Sequence, residues 1–263
     1  MRAIILAAGR GLRLHPAGDE GVPKCLLRFG GTSLLERHLR MLRDAGVDEV
    51  VLALGFRHEL VEAELARLRW QPEPEIVLNS RFDLGSVLTV HTVAGALTRG
   101  GDVLLMDADV LYDARIATAL IEGDAPVNRL LIDQQFEGGE EPVKVCIRDG
   151  VPIELRKKLA ADLQYDTIGE SVGFFRFSET AARRLASIAD DYVTRDCGHM
   201  PHEEAVRDLL LEQSQRFEIA DVSGAPWIEI DFPRDVLRAT QEILPRLRPL
   251  VAAGRTASQP ARG

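Results

Sequence analysis

Two patterns of apolar residues alternate through the first half of the chain. Residues 3–7, 49–54, 75–79 and 102–106 are short, nearly continuous apolar runs, the pattern of strands buried on both faces. Between them the apolar spacing changes to a helical period. In residues 33–44, Leu34, Leu35, His38, Leu39 and Leu42 share one face, and Gly46 follows the end, which predicts an amphipathic helix with a glycine stop. Residues 58–68 and 86–97 read as helices in the same way, the former ending before Pro72 and Pro74. Such alternation predicts an α/β fold of Rossmann-like type, a mixed, mainly parallel sheet flanked by helices.

The second half changes character. Residues 129–133, 143–147, 151–155 and 172–177 read as strands with few helices between them. Glu137-Gly-Gly-Glu-Glu marks a turn, and Asp149-Gly150 between two strands is a hairpin signal. Helices return at 179–189, 202–213 and 234–244, with a strand at 227–230 before the last. Residues 251–263 are small, polar and basic and predict a disordered tail. No linker separates two domains, so residues 1–250 are expected to form one domain with a first half (1–125) and a smaller β-rich second part (126–250).

Composition narrows the function. With 32 basic and 41 acidic residues the net charge is −9, which disfavours partners that need a basic face, nucleic acid and anionic membrane. No apolar run approaches the roughly 20 residues of a membrane span, and the N-terminus has no signal-peptide character. Cys25, Cys146 and Cys197 are far apart and odd in number, so they read as reduced thiols of a cytoplasmic protein. Only four of the 32 basic residues are lysines, at 24, 144, 157 and 158. Where this arginine-rich chain uses Lys, a compact ammonium is the feature gained. The sequence sets no oligomeric state, and a homo-oligomer is compatible with it.

The first candidate chemistry follows the first strand. Gly9, Gly11 and Arg13 lie in the loop, and Lys24 follows Pro23. Glycines admit backbone N–H groups close to a phosphate chain, and Arg and Lys add charge. Leu14 stands where a dinucleotide fingerprint needs its third glycine, and no Gly-Lys-Ser/Thr follows, so neither a dinucleotide nor a Walker loop is present. A second feature, Asp107-Ala-Asp109, ends an apolar strand where ligands of open α/β sheets collect. Residues i and i+2 of an extended segment point the same way, and paired carboxylates suit Mg²⁺ shared with phosphates.

Asp231, in Trp227-Ile-Glu229-Ile-Asp231, is open to two readings, a helix cap before Pro233 or a second metal ligand. Lys144, Lys157 or Lys158, and Glu170 are candidates for contact with a second substrate, against the simpler reading of solvated turn residues. His199, His202, Glu203 and Glu204 lack the i, i+4 histidine spacing of a helical zinc site, and substrate contact by Glu203 or Glu204 is the better reading.

Together these residues make the chain resemble the nucleotidyltransferase superfamily with the sugar-nucleotide pyrophosphorylase fold. Leu6-Ala-Ala-Gly9-Arg-Gly11-Leu-Arg13 with Pro23-Lys24 is the most specific part of the match, and Asp109 and Asp231 correspond to that family's two metal aspartates. Within it the chain is most similar to the short cytidylyltransferases acting on phosphocholine, inositol phosphate or phosphonates. The resemblance implies a nucleotide-diphospho-sugar-transferase-type fold and Mg²⁺-dependent transfer of CMP from CTP to a phosphorylated alcohol or phosphonate. It implies nucleotide contacts from Leu6, Ala8, Gly9, Gly11, Arg13, Lys24, Asn79, Gly85, Ser86 and Asp107. Lys24, Arg13 and Lys157 would be catalytic, with acceptor contacts from Lys144, Lys157, Glu170, Glu203 and Glu204. Few aromatics follow Asn79, and Arg81 would repel a cation, so an anionic or polyol acceptor is at least as compatible as phosphocholine. Alternatives are a sugar-1-phosphate nucleotidyltransferase using UTP, dTTP or GTP, an Asp-x-Asp glycosyltransferase, and a silent binding module.

Overall fold

The computed structural model describes residues 1–14, 21–123 and 127–250; the tail expected at 251–263 lies outside the described residues. The first half contains β1 (Arg2–Ala7), the two-residue strands β2 (Arg28–Phe29) and β3 (Thr32–Ser33), α1 (Leu34–Asp44), β4 (Glu49–Leu54), α2 (His58–Leu68), β5 (Glu75–Leu78), α3 (Ser86–Thr92), α4 (Ala94–Leu97), β6 (Val103–Asp107), β7 (Val110–Tyr112) and α5 (Ala114–Ile121). The second half adds β8 (Asn128–Asp133), β9 (Lys144–Arg148), β10 (Val151–Arg156), β11 (Thr167–Phe177), α6 (Glu179–Thr194), α7 (His202–Glu212), β12 (Phe217–Asp221), β13 (Trp227–Glu229) and α8 (Pro233–Arg238).

The main sheet runs β10-β9-β11-β6-β1-β4-β5, with β8 paired to β11 and β12. Strand β1 lies parallel to both β4 and β6, and β4 parallel to β5. Strand β11 then joins antiparallel to β6 and carries the second half. This is the expected mixed sheet with a parallel first block.

Side-chain alternation along these strands builds a core on each face. Ala3, Ile5, Leu52, Leu104 and Met106 face one core, with Leu35, Leu39 and Leu42 of α1, Val61 and Leu65 of α2 and Ile116 of α5. Ile4, Val51, Ala53, Val103 and Leu105 face the other, with Val87 and Val90 of α3, Ala182 and Leu185 of α6 and Val206 and Leu209 of α7. Helix α1 starts where the Ser33 hydroxyl accepts from the Glu36 N–H at 3.2 Å, a side-chain cap of the type worth about 1 kcal/mol.

Several elements extend or divide the expected ones. Strand β11 begins at Thr167 rather than at 172; its first residues interleave polar side chains and Gly169, which breaks the apolar run. Strand β12 alternates Phe, Glu, Ile, Ala and Asp at the outer side of β8, a half-buried rather than a continuous pattern. The helix expected at 86–97 divides at Val93. The one expected at 234–244 is α8 followed by a wider π turn over Ala239–Ile243. Among the described residues no helix is long and apolar enough to cross a membrane.

Candidate active site

The site lies at the C-terminal ends of β1 and β6, where the loop after β1 meets the 3-10 turn Lys24–Leu26. Pro23 starts that turn, and its carbonyl accepts from the Leu26 N–H at 2.8 Å. Cys25 anchors it in the core at 2% exposure, so Lys24 points out under the loop. Gly11 has φ +64°, and a Cβ there would lie 3.1 Å from Lys24 Cγ. Glycine is needed at this position both for the left-handed backbone and for the passage of the lysine stem. Among the described residues nothing lies within 4 Å of the Cβ position of Gly9.

The Lys24 Nζ donates to Asp109 Oδ2 at 2.8 Å and to Asp231 Oδ1 at 2.7 Å. Two elements bring those aspartates together. Strand β13 pairs antiparallel with β7, matching Glu229 to Val110, and the Ile230 N–H donates to the Asp109 carbonyl at 3.0 Å. Asp231 is not the helix cap. The Asp235 carboxylate accepts from the backbone N–H groups of Asp231 and Phe232 at 3.0 and 2.7 Å, which leaves the Asp231 side chain for Lys24. Arg13 reaches the same Asp231 oxygen at 2.8 Å. Burial lowers the Lys24 pKa, but the charges and hydrogen bonds of Asp109 and Asp231 together outweigh it and raise the value above the ordinary lysine range.

Glu229 completes this constellation and was absent from the sequence expectation. Single carboxylate oxygens of Asp109, Glu229 and Asp231 lie within 4.8 Å of one another. Its signal was the i, i+2 alternation with Asp231, the same rule that paired Asp107 with Asp109. That earlier pairing does not hold in the same form, because β6 ends at Asp107 and a turn carries Asp109. Asp107 faces His202 Nε2 at 3.5 Å, and it crowds Gly173, whose φ is +78°. Enclosure first, then the charges of Asp109 and Glu203, hold the Asp107 carboxyl well above the usual range. Glu229 is likewise raised, by enclosure in the cleft and then by Asp109, Asp231 and Asp107. Its side chain keeps contact with solvent, which makes the three neighbouring carboxylates the physical cause that matters.

Two clefts meet at these carboxylates. One, about 510 Å³, is lined by Arg10, Gly11, Leu12, Arg13, Lys24, Phe82 and Asp83. A smaller hollow beside it is lined by Leu6, Gly9, Lys24 and Asp109. The other cleft, about 470 Å³, has acidic walls that include Asp133, Glu137, Glu170, Glu229 and Asp231, with Phe136, Trp227 and Phe232 among them. Arg81 is not among its lining residues. The Trp227 indole N–H donates to Asp133 Oδ2 at 2.9 Å. The ring of Phe232 carries the Arg13 and Arg234 guanidiniums at 5.3 and 4.9 Å, within the usual cation–π range.

Other expected contacts fall into distinct places. Glu170 lines the acidic cleft, and its pKa is pushed up to about 7 by burial and then by Asp133, against the opposing charge of Lys144. Lys157 Nζ lies 3.5 Å from Glu141 Oε2, which also accepts from Arg13 at 2.8 Å. Lys144 is engaged by backbone, donating to the carbonyls of Gly139 and Lys157 at 2.8 Å. Glu204 is held by both Arg156 nitrogens at 3.0 and 2.7 Å. Asn79 is buried and spends its amide on Thr89 Oγ1 and the Arg81 N–H. Ser86 Oγ accepts from the His202 N–H at 2.7 Å, and Gly85 packs against the Gly198 carbonyl. Ala8 is buried, and its carbonyl accepts from the Phe56 N–H at 3.0 Å.

Comparison with known proteins places this geometry. A model of the MobA-like NTP transferase domain matches residues 3–170. A bifunctional IPC transferase and DIPP synthase of Aquifex aeolicus is 27% identical over 247 residues, 92% of this chain and 51% of that protein. The chain thus spans about half the length of the first such relatives. A CTP:phosphoglutamine cytidylyltransferase of Campylobacter jejuni is 24% identical over 90% of this chain and 98% of its own length. Among solved structures, the inositol-1-phosphate CTP transferase of T. maritima superposes with a TM-score of 0.72 at 21% identity, over 93% of this chain and 95% of the other, a likeness of fold.

Proposed function

The chain belongs to the MobA-like NTP transferase family, and we propose that it transfers CMP from CTP to a phosphate or phosphonate oxygen of a small acceptor, releasing pyrophosphate. The observation that carries this reading is Lys24, held between Asp109 and Asp231 beneath the Gly9–Gly11–Arg13 loop, where two clefts meet. The basic cleft suits a triphosphate and the acidic one the acceptor. CTP rather than another nucleotide is supported by the similarity to a CTP:phosphoglutamine cytidylyltransferase and to an inositol-1-phosphate CTP transferase.

A phosphate monoester or phosphonate is already a competent nucleophile, so the site needs no general base. Its oxygen attacks the α-phosphorus, a new P–O bond forms, the bond from the α-phosphorus to the bridging oxygen breaks, and pyrophosphate departs with that electron pair. The chain's contribution is positioning and charge. Arg13 and the loop N–H groups hold the triphosphate, Lys24 balances charge at the transferring phosphate, and Lys157 turns the acceptor phosphate toward it. Asp109, Glu229 and Asp231 form a hard-oxygen donor set that fits Mg²⁺. When bound there, Mg²⁺ supplies charge neutralisation at the phosphates.

The acidic cleft favours an acceptor with an ammonium group at the end remote from its phosphate. Its walls carry carboxylates and three aromatic rings, and one of those rings already stacks with guanidiniums. The test is a pyrophosphate-release screen crossing CTP, UTP, dTTP, GTP and ATP with aminoalkyl phosphates and phosphonates, phosphocholine, inositol phosphate and sugar 1-phosphates. Release with CTP and an amine-bearing acceptor supports the reading. Release only with UTP, dTTP or GTP and a sugar 1-phosphate replaces it with sugar-nucleotide synthesis.

A further inference from the structure

We propose that Lys24 is an internal counter-ion that shares its seat with the divalent cation, so that the metal binds tightly only in company with the nucleoside triphosphate. The proposal rests on the nucleotidyltransferase reading of the site and adds an order of binding to it. Lys24 donates to one oxygen of Asp109 and one of Asp231, at 2.8 and 2.7 Å. These are two of the three carboxylates that converge within 4.8 Å. An ammonium and a divalent cation drawn to the same oxygens repel each other, and the low exposure of all three side chains, 15%, 20% and 11% for Lys24, Asp109 and Asp231, limits screening by water. Arg13 adds a second positive charge 2.8 Å from the shared Asp231 oxygen.

The exchange is built into the neighbouring backbone. The aliphatic stem of Lys24 is confined under Gly11, whose Cβ position lies 3.1 Å from Cγ and 3.3 Å from Cε. Rotation about the last torsions therefore carries the ammonium between the carboxylates and the loop. Phosphate oxygens lying along Gly9 and Gly11 give it a new partner at the moment the carboxylates take the metal. Lysine suits such a handover because its three N–H donors rotate about one point, whereas arginine presents a fixed planar fork. Lysine is scarce in this chain, four of 32 basic residues.

Mn²⁺ provides the readout, since its free ion is counted by electron paramagnetic resonance without turnover. Lys24→Met is expected to bind Mn²⁺ alone at least about tenfold tighter than the wild type, because it deletes a charge from the same oxygens. Lys24→Arg, which keeps the charge, is expected to show no such gain. If Lys24→Met does not fold, Lys24→Gln, which keeps one donor without the charge, takes its place in the comparison. Equal or weaker Mn²⁺ binding by a folded neutral variant overturns the proposal. Wild-type protein given Mn²⁺ and CTP separates the two levels of the argument. Binding of the Mn²⁺–CTP pair with no gain in the variant removes the counter-ion role alone, while failure to bind the pair removes the nucleotidyltransferase reading beneath it.

Discussion

Arg13 and Glu141, 128 residues apart, are joined by a 2.8 Å ion pair across the meeting point of the two clefts. Glu141 also lies 3.5 Å from Lys157, so one carboxylate engages the two cations assigned to the phosphates of the two substrates. It competes with them. Glu141→Gln is expected to lower the acceptor KM by about twofold to fivefold at unchanged kcat, the scale of an exposed ion pair. Initial rates over a range of acceptor concentrations decide it, and a raised KM would instead make Glu141 an acceptor ligand.

Glu229, the last residue of β13, and Asp231, just beyond it, differ in partners. Asp231 holds Lys24 and Arg13, whereas Glu229 stands at the solvent side of the carboxylate group. Asp231→Asn is expected to reduce kcat by at least about 10²-fold, the scale of removing one charge-stabilising group from a site. Glu229→Gln is expected to raise the Mg²⁺ concentration for half-maximal rate while kcat at saturating Mg²⁺ stays within a few-fold of the wild type. Rates titrated with Mg²⁺ at fixed CTP separate the two.

Glu170 makes the site sensitive to pH. Its carboxyl titrates near 7 in the folded protein, raised from an ordinary value near 4.5, so the native state holds this proton more firmly than the unfolded chain. The linked loss of stability is absent at low pH, grows as pH rises from the ordinary carboxyl range to about 7, and is constant above. Glu170→Gln should therefore raise Tm at pH 8 and leave it unaltered at pH 4, as read by thermal melts. For an acceptor carrying an ammonium group, the wild-type KM should fall as pH rises through 7, and the variant should lose that slope.

Gly173 sits at the bend of β11 with φ +78°, and any Cβ there would collide with the Asp107 carboxylate. Gly173→Ala combines a left-handed backbone with that collision. It should destabilise the fold by about 1–3 kcal/mol, measured by urea unfolding.

The parts of this site that follow one another in sequence were legible there. The Gly9–Arg13 loop, Lys24 and the aspartates at strand ends could be placed because a strand end and a glycine loop are local features. Parallel apolar runs likewise announced β1, β4 and β6, which are buried on both faces. What escaped depends on partners distant in the chain. Glu229 became part of the site through the pairing of β13 with β7, which sets it opposite Val110, far away in the chain. Glu204 and Lys144 carry the charges expected of acceptor ligands, yet Arg156 and backbone carbonyls take them up.

Strand β11 pairs with β9 through its first residues, with β6 through its last, and with β8 on both sides of Gly173. One strand therefore ties the second-half strands to β6, with its single left-handed bend beside Asp107. A chain divided between the halves would strip β6 of a neighbour and leave its amide row exposed. For engineering, the loop at 135–142, which lines the acidic cleft and reaches Arg13 through Glu141, is open to exchange, while wholesale grafting of the second half would carry away a structural member of the first.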